Sequence, residues 1–82
     1  MSRDYKTANA ALATRLENDH SYHQPFGDQA NRYEAVRRLA KEFGLELLHM
    51  CPPSRELSLA LTHLEDVVYN ANASIARNEE PA

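Results

Sequence analysis

The residues best suited to ligand recognition lie on one face of a predicted C-terminal helix, opposite its apolar stripe at about 100° per residue. The positions of this face are Arg55, Leu59, Thr62, Asp66, Asn70, Ala73 and Arg77, flanked by Ser58, Glu65 and Asn72. A guanidinium presents a planar fork to phosphate, and hydroxyl and amide groups add directional hydrogen bonds. This pattern is typical of a solvated face whose polar contacts fix helix register; the alternative is recognition of a nucleotide.

A second candidate set, Tyr22 and His23, lies in an irregular segment rich in turn-forming residues. The tyrosine ring is either a plug over the helices or a platform for base stacking, which is worth about 1–3 kcal/mol per base. His23 either donates to a phosphate or satisfies a nearby carbonyl. The residue types leave both alternatives open.

Metal binding is weakly supported by the arrangement of histidine and cysteine. His20 and His23 have an HxxH spacing, and His49, Cys51 and His63 lie near one predicted turn. His49 and Cys51 project in different directions, and no dense Cys/His pair completes a site. We therefore expect no metal.

Catalysis has little support either. Glu65 and Asp66 are adjacent on a helix and point in different directions, so they do not form an obvious acid/base pair. Cys51 has no identifiable base, and two glycines, Gly27 and Gly44, cannot form a glycine-rich phosphate loop. The prediction is a protein without catalytic activity and without a cofactor.

Three predicted helices must position these residues. A thin stripe of Tyr5, Ala8, Leu12 and Leu16 predicts a weak N-terminal helix over residues 4–17. The second helix runs from about Gln29 to Met50, with Asp28 as its N-cap. Its apolar stripe consists of Tyr33, Val36, Ala40, Phe43, Leu47 and Met50.

Pro52 and Pro53 end the second helix, and the Ser54 hydroxyl can cap the third. The stripe of the third helix consists of Leu57, Leu61, Leu64, Val68, Ala71 and Ile75, widened by Ala60 and Val67. The predicted organisation is an N-terminal helical extension (1–18), a loop (19–28), a helical hairpin domain (29–78) and a frayed tail (79–82).

The predicted fold class is all-α, an antiparallel helical hairpin with a weak additional N-terminal helix. A hairpin covers one side of each helix, and several leucines lie off the two stripes. These are Leu39, Leu45, Leu48 and Leu59. Exposed apolar area of this kind usually marks an interface, which predicts a homo-oligomeric bundle, a dimer or higher.

Bulk composition restricts the functional class. The 82 residues predict one domain near the size at which a single core is marginally stable. Nine basic and twelve acidic residues give a net charge of −3, which argues against a protein that coats DNA or RNA. A lone cysteine, no membrane-length apolar stretch and no signal peptide predict a soluble intracellular protein.

Several motifs together resemble a known family. They are Tyr22-His23-Gln24-Pro25, Arg32-Tyr33-Glu34, Cys51 to Glu56, Ser58 to Glu65 and Asn72 to Arg77. From about Tyr22 to Glu79 the chain resembles the helical-hairpin domain of phage anti-CBASS and Thoeris anti-defence sponge proteins. The resemblance implies a binding protein that sequesters cyclic di- or trinucleotides, or cyclic ADP-ribose variants, in the host bacterial cytoplasm. It also implies pockets between subunits.

Carried onto this chain, the resemblance implies the following ligand-binding residues: Arg55, Arg77 and Lys41 for phosphate, Tyr22 for stacking, and His23, Thr62 and Asn72 for polar contacts. Two other functions are weighed against the sponge. One is a structural or protein-binding helical module without a nucleotide ligand. The other is a small hydrolase that uses His23 or Glu65.

Overall fold

The computed structural model describes residues 4–80, and this part of the chain folds into three helices without a strand. They are α1 (Ala10–His20), α2 (Gln29–Met50) and α3 (Arg55–Asn78). The predicted all-α fold is confirmed, and α2 has the predicted bounds. The first residues of the expected extension, 1–3, and the last of the expected tail, 81–82, lie outside the described residues.

The helices α2 and α3 form an antiparallel hairpin closed by residues 51–54. The Ser54 hydroxyl accepts a hydrogen bond from the Leu57 amide at 3.1 Å, which confirms the predicted cap. The Asp28 side chain makes no such bond at the start of α2. Its Oδ1 accepts from Arg32 Nε at 3.0 Å instead, so the prediction of a capping carboxylate is wrong.

Gly44 lies at a close contact between the two hairpin helices. It is buried, and a Cβ atom there would lie 3.3 Å from Leu64 Cδ2 and 3.7 Å from Leu61 Cδ2. The missing side chain lets two leucines of α3 pack directly on the α2 backbone. This close contact is nearer the closed end of the hairpin than its open end.

This approach changes the predicted apolar stripe of α2. Phe43 and Met50 are 55% and 67% exposed, so their prediction as core residues is wrong. Because Gly44 takes the contact with α3, its neighbour Phe43 is turned about 100° away around the helix. On α3 the predicted stripe is half-buried as expected, whereas the widening positions Ala60 and Val67 are exposed.

The chain is a thin layer of helices. Its extents are 59 × 39 × 13 Å and its radius of gyration is 18.3 Å, against about 12 Å for a globular chain of this length. No apolar side chain within residues 4–80 is fully buried. The accessible surface is 7127 Å², whereas a compact monomer of this mass exposes about 5,000 Å².

The N-terminal helix is displaced from its predicted position. Asp4 Oδ1 accepts a hydrogen bond from the Lys6 amide at 2.9 Å, a local turn that competes with helix formation. Residues 6–9 are turns, and α1 begins only at Ala10. Its apolar residues Leu12 and Leu16 are 59% and 61% exposed, so α1 is peripheral to the hairpin, as the sequence predicts.

Within residues 4–80, no helix combines the length and the apolar character that crossing a membrane requires.

Candidate functional site

The open end of the hairpin, where α2 begins and α3 ends, is organised by a buried amide. Gln29 is 2% exposed. Its Nε2 donates to the Ile75 carbonyl at 3.3 Å and to Glu79 Oε1 at 2.9 Å, and its Oε1 accepts from the Phe26 amide at 3.1 Å. One side chain thus joins both helices and the loop between α1 and α2, with its polar atoms satisfied.

An ion pair completes this connection. Arg32 donates to the two carboxylate oxygens of Glu79 at 2.7 and 2.6 Å, the bidentate geometry that guanidinium favours. Hydrogen bonds from Arg32 and then Gln29 lower the pKa of Glu79 to about 2, and hydrogen bonding to Glu79 raises the pKa of Arg32. Fraying was predicted from Glu79 onward, yet Glu79 itself is held in place.

A cleft of about 350 Å³ lies beside this connection, and we call it the open-end cleft. Its wall on α2 carries Tyr33 and Arg37, one helical turn apart, and its wall on α3 carries Asn72 and Arg77. The complete lining is Asp19, Ser21, Tyr22, His23, Tyr33, Arg37, Asn72, Ala73, Ala76 and Arg77. Aromatic rings, guanidinium groups and an amide therefore converge on one volume.

The two arginines of the cleft differ in their partners. Arg77 Nη1 lies 3.5 Å from Asp19 Oδ1, and its Nη2 donates to the Asp19 carbonyl at 3.3 Å. Arg37 is exposed and has no hydrogen bond or ion pair within the described part of the chain. The cleft thus offers one unpaired guanidinium and one whose partner is a carboxylate.

Asn72 carries an unsatisfied polar atom in this wall. Its Oδ1 is buried and has no hydrogen-bond partner among residues 4–80. Buried acceptors of this kind are few in folded proteins, and each calls for an explanation. A donor on a bound ligand, such as a base amino group or a ribose hydroxyl, would supply the missing bond.

The two candidate residues of the loop, His23 and Tyr22, have different contacts. The Nε2 of His23 donates to the Asn18 carbonyl, with 2.8 Å between them, so this nitrogen satisfies a carbonyl, one of the two predicted alternatives. The other, Nδ1, is then the acceptor of a neutral imidazole. Tyr22 is 85% exposed, so the alternative in which its ring plugs the hairpin is wrong.

Three of the predicted binding residues lie away from this cleft. Arg55 begins α3, and the 22 residue steps from Arg55 to Arg77 place the two about 33 Å apart along the helix. The Thr62 hydroxyl donates to the Ser58 carbonyl at 3.1 Å. Lys41 lines a separate, mainly apolar groove of about 280 Å³. A single chain therefore cannot bring Arg55 and Arg77 to one small ligand.

Sequence reasoning missed Tyr33, Arg37 and Asp19 as cleft residues. Tyr33 fits the apolar stripe of α2 and was interpreted as core, and Asp19 falls in a predicted loop. The available signal was the spacing of four between Tyr33 and Arg37, which places a ring and a cation on one helix face.

Within residues 4–80, no group of three or more histidine, cysteine, aspartate or glutamate side chains lies close enough together to hold a metal ion.

Fold and cleft together define a helical-hairpin protein with a polar, cationic and aromatic cleft at its open end. The family model described as "Acb2/Tad1, hairpin domain" matches residues 8–76, which include the whole of α1 and α2 and α3 up to its last two residues. The chain belongs to this family, the anti-CBASS and anti-Thoeris sponge proteins of phage anti-defence. Comparisons with curated proteins and with solved structures gave no match.

Proposed function

We propose that this chain binds a cyclic oligonucleotide, or a cyclic ADP-ribose-type signal, in the open-end cleft and sequesters it without cleaving it. The observation that carries the proposal is the convergence of Arg37, Arg77 and two tyrosine rings on one cleft. Phosphates require the guanidinium groups, and bases stack on aromatic faces. Membership of the sponge family supports the same assignment.

Five cleft residues have a direct role in this proposal. Arg37 and Arg77 bind phosphate, Tyr22 and Tyr33 stack on bases, and Asn72 accepts a hydrogen bond from the ligand. Tyr33 is half-buried and Tyr22 exposed, so the first is a fixed platform and the second closes over the ligand. Residues already ordered by packing lose less entropy when the ligand binds.

The contacts and positions of the acidic groups favour binding without hydrolysis. Asp19, the carboxylate in the cleft, lies 3.5 Å from the Arg77 guanidinium and 3.6 Å from that of Arg15. Both of its oxygens face guanidinium groups, so neither is free to orient an attacking water. Glu65, the other candidate of the hydrolase hypothesis, lines the apolar groove instead of the cleft.

A homo-oligomer, dimer or higher, is part of the proposal. The exposed surface exceeds that of a compact monomer by about 2,000 Å², which is more than the roughly 800 Å² that each partner contributes to an interface of standard size. Several large apolar side chains are at least half exposed. They are Leu39, Phe43, Leu45, Leu48 and Met50. A second copy of this chain packed on this surface would bury it, and could bring Arg55 of one copy near the cleft of another.

The place of action follows from the signal. Cyclic nucleotide immune signals are intracellular, so we propose the cytoplasm of the infected bacterium as the location.

Sedimentation of the purified 9.3 kDa chain tests the assembly: a monomer at micromolar concentration would contradict the oligomer.

The test of the function is thermal stabilisation by a panel of cyclic di- and trinucleotides and cyclic ADP-ribose isomers, with recovery of the ligand afterwards. Ligand at one hundred times its dissociation constant adds about 2.7 kcal/mol, which raises the Tm of a domain of this size by about 10 °C or more. Intact recovered ligand supports a sponge. Degraded ligand would indicate a hydrolase, and no shift would favour a protein-binding module.

A matched pair of variants locates the ligand. Arg37→Ala should weaken binding about tenfold or more, because a hydrogen bond to a charged group is worth about 1.5–3 kcal/mol. Arg38→Ala removes the same charge from the next residue of α2, which does not line the cleft. Equal losses in both variants would place the ligand elsewhere.

A further inference from the structure

Asp19, near the end of α1, lies between two guanidinium groups. Its Oδ1 is 3.5 Å from Arg77 Nη1 and its Oδ2 is 3.6 Å from Arg15 Nε. The side chain is 27% exposed, and its backbone carbonyl accepts from Arg77 Nη2 at 3.3 Å. The carboxylate thus occupies the cationic edge of the open-end cleft.

This position is also a junction between two clefts. Asp19 and Arg77 line both the open-end cleft and a more polar groove of about 720 Å³ between α1 and α3, to which Arg15 contributes. A negative charge in either space that lies near Arg77 also lies near the carboxylate. Like charges at such separations repel measurably even in a largely aqueous environment.

The ion pairs of Asp19 are weak enough for a ligand phosphate to replace the carboxylate at Arg77. Both ion pairs are longer than ordinary hydrogen bonds, and the Arg77 side chain is 39% exposed, so each pair stabilises the chain little. A phosphate oxygen that approaches Arg77 forms shorter, charge-assisted hydrogen bonds. The exchange therefore loses a weak pair and gains a stronger one.

We propose that Asp19 is an intramolecular competitor of the ligand phosphate, which holds Arg77 in the unliganded chain and thereby limits ligand affinity. The proposal rests on the binding of an anionic nucleotide in the open-end cleft. Displacement of the carboxylate also removes one tether of α1 from the hairpin. Because such coupling is reciprocal, loss of the Asp19 charge strengthens ligand binding.

The test is calorimetric titration of the purified chain with inorganic pyrophosphate, cyclic di-AMP and cyclic tri-AMP. Asp19→Asn should bind the anion about five- to tenfold more tightly, as expected when one like charge is removed a few ångströms away. The control, Asp66→Asn, changes the net charge equally at a 62% exposed site that lies about 16 Å along α3 from Arg77. Its affinity for the anion should match that of the wild type. Asp19→Glu keeps the charge and should show no gain.

The outcomes separate this inference from the proposed function. Tighter pyrophosphate binding without binding of either cyclic nucleotide would support the role of Asp19 and contradict a sponge for these two signals. Cyclic nucleotide binding that is unchanged or weaker in Asp19→Asn would overturn the role of Asp19 and leave the sponge standing. No gain with any of the three probes would also overturn it.

A measurement on the wild type avoids dependence on how the variant folds. Saturating pyrophosphate should accelerate hydrogen exchange of the α1 amides, because the ion pair that tethers the helix is displaced. Exchange in α1 that stays unchanged or slows in pyrophosphate would contradict displacement of Asp19.

Discussion

The two ends of the hairpin are fixed by different kinds of interaction. At the open end, Gln29, Arg32 and Glu79 connect α2, α3 and the preceding loop through directional hydrogen bonds. Toward the closed end, the helices meet through Gly44 and α3 leucines, and the groove there is mainly apolar. Directional contacts fix distances, whereas apolar contacts mainly remove surface from water.

The difference assigns separate tasks to the two ends. A binding site requires side chains at fixed distances, and the open end achieves this within one chain. Near the closed end, Leu45, Leu48 and Met50 are each at least half exposed, and exposed apolar area of this kind usually marks an interface. This division agrees with the proposed site at the open end and the proposed interface toward the closed end.

The largest effect on stability is expected from Leu61→Asp, which disrupts the apolar contact between α2 and α3. Leu61 packs on the α2 backbone at Gly44, and a carboxylate there would lose hydration and packing together. The expected cost of about 3 kcal/mol or more is a large fraction of the stability of a small domain. Circular dichroism should show loss of the helical signal.

Leu39→Asp is the control, since Leu39 is 59% exposed on the chain. It should retain helicity in the monomer and change only the sedimentation behaviour. A Leu61→Asp chain that melts like the wild type would show that the hairpin interface lies elsewhere.

Gln29→Leu should disrupt the hydrogen bonds at the open end, with a smaller effect on stability. The substitution leaves the Phe26 amide and the Ile75 carbonyl without the bonds that they make to Gln29. An unsatisfied buried polar group costs about 1–3 kcal/mol, so the Tm should fall by about 10 °C. Hydrogen exchange at Phe26 should accelerate more than exchange in the middle of α2.

Gln24→Leu is matched to it, because Gln24 is exposed in the same loop. It should leave the Tm and the exchange at Phe26 nearly unchanged. If both variants melt alike, the buried amide does not organise the open end.

The hairpin could be predicted because its signals are local. Apolar spacing marks α2 and α3, two prolines stop the first of them, and Ser54 caps the second. Two errors arose from contacts beyond these signals. A bare glycine took the place of Phe43 in the interface, and a turn at Asp4 delayed the start of α1.

The cleft was partly predictable. Tyr22, His23, Asn72 and Arg77 were chosen from the sequence, and the structure brings all four to one cleft. Arg37 was missed because a helical pattern does not show which polar residue of α2 faces α3's last turns. The distance between Arg55 and Arg77 was overlooked because residues on one helix face can still be several turns apart.

The smallest effect concerns acid sensitivity of the open end. The pKa of Glu79 is about 2 in the folded chain, against an ordinary value of 4.5. A lowered pKa means that the Arg32–Glu79 pair stabilises the fold fully above about pH 4.5 and is lost as the pH falls toward 2. Since both side chains are more than one third exposed, the loss is modest.

Other carboxylates titrate in the same range, so the measurement is the difference in Tm between wild type and Glu79→Gln. The difference should be largest at neutral pH and shrink between pH 4.5 and 2, because protonation makes the wild-type side chain neutral as well. High salt should reduce it at neutral pH. A difference near zero already at neutral pH would mean that the amide replaces the carboxylate fully, and that hydrogen bonds rather than charge hold the end of α3.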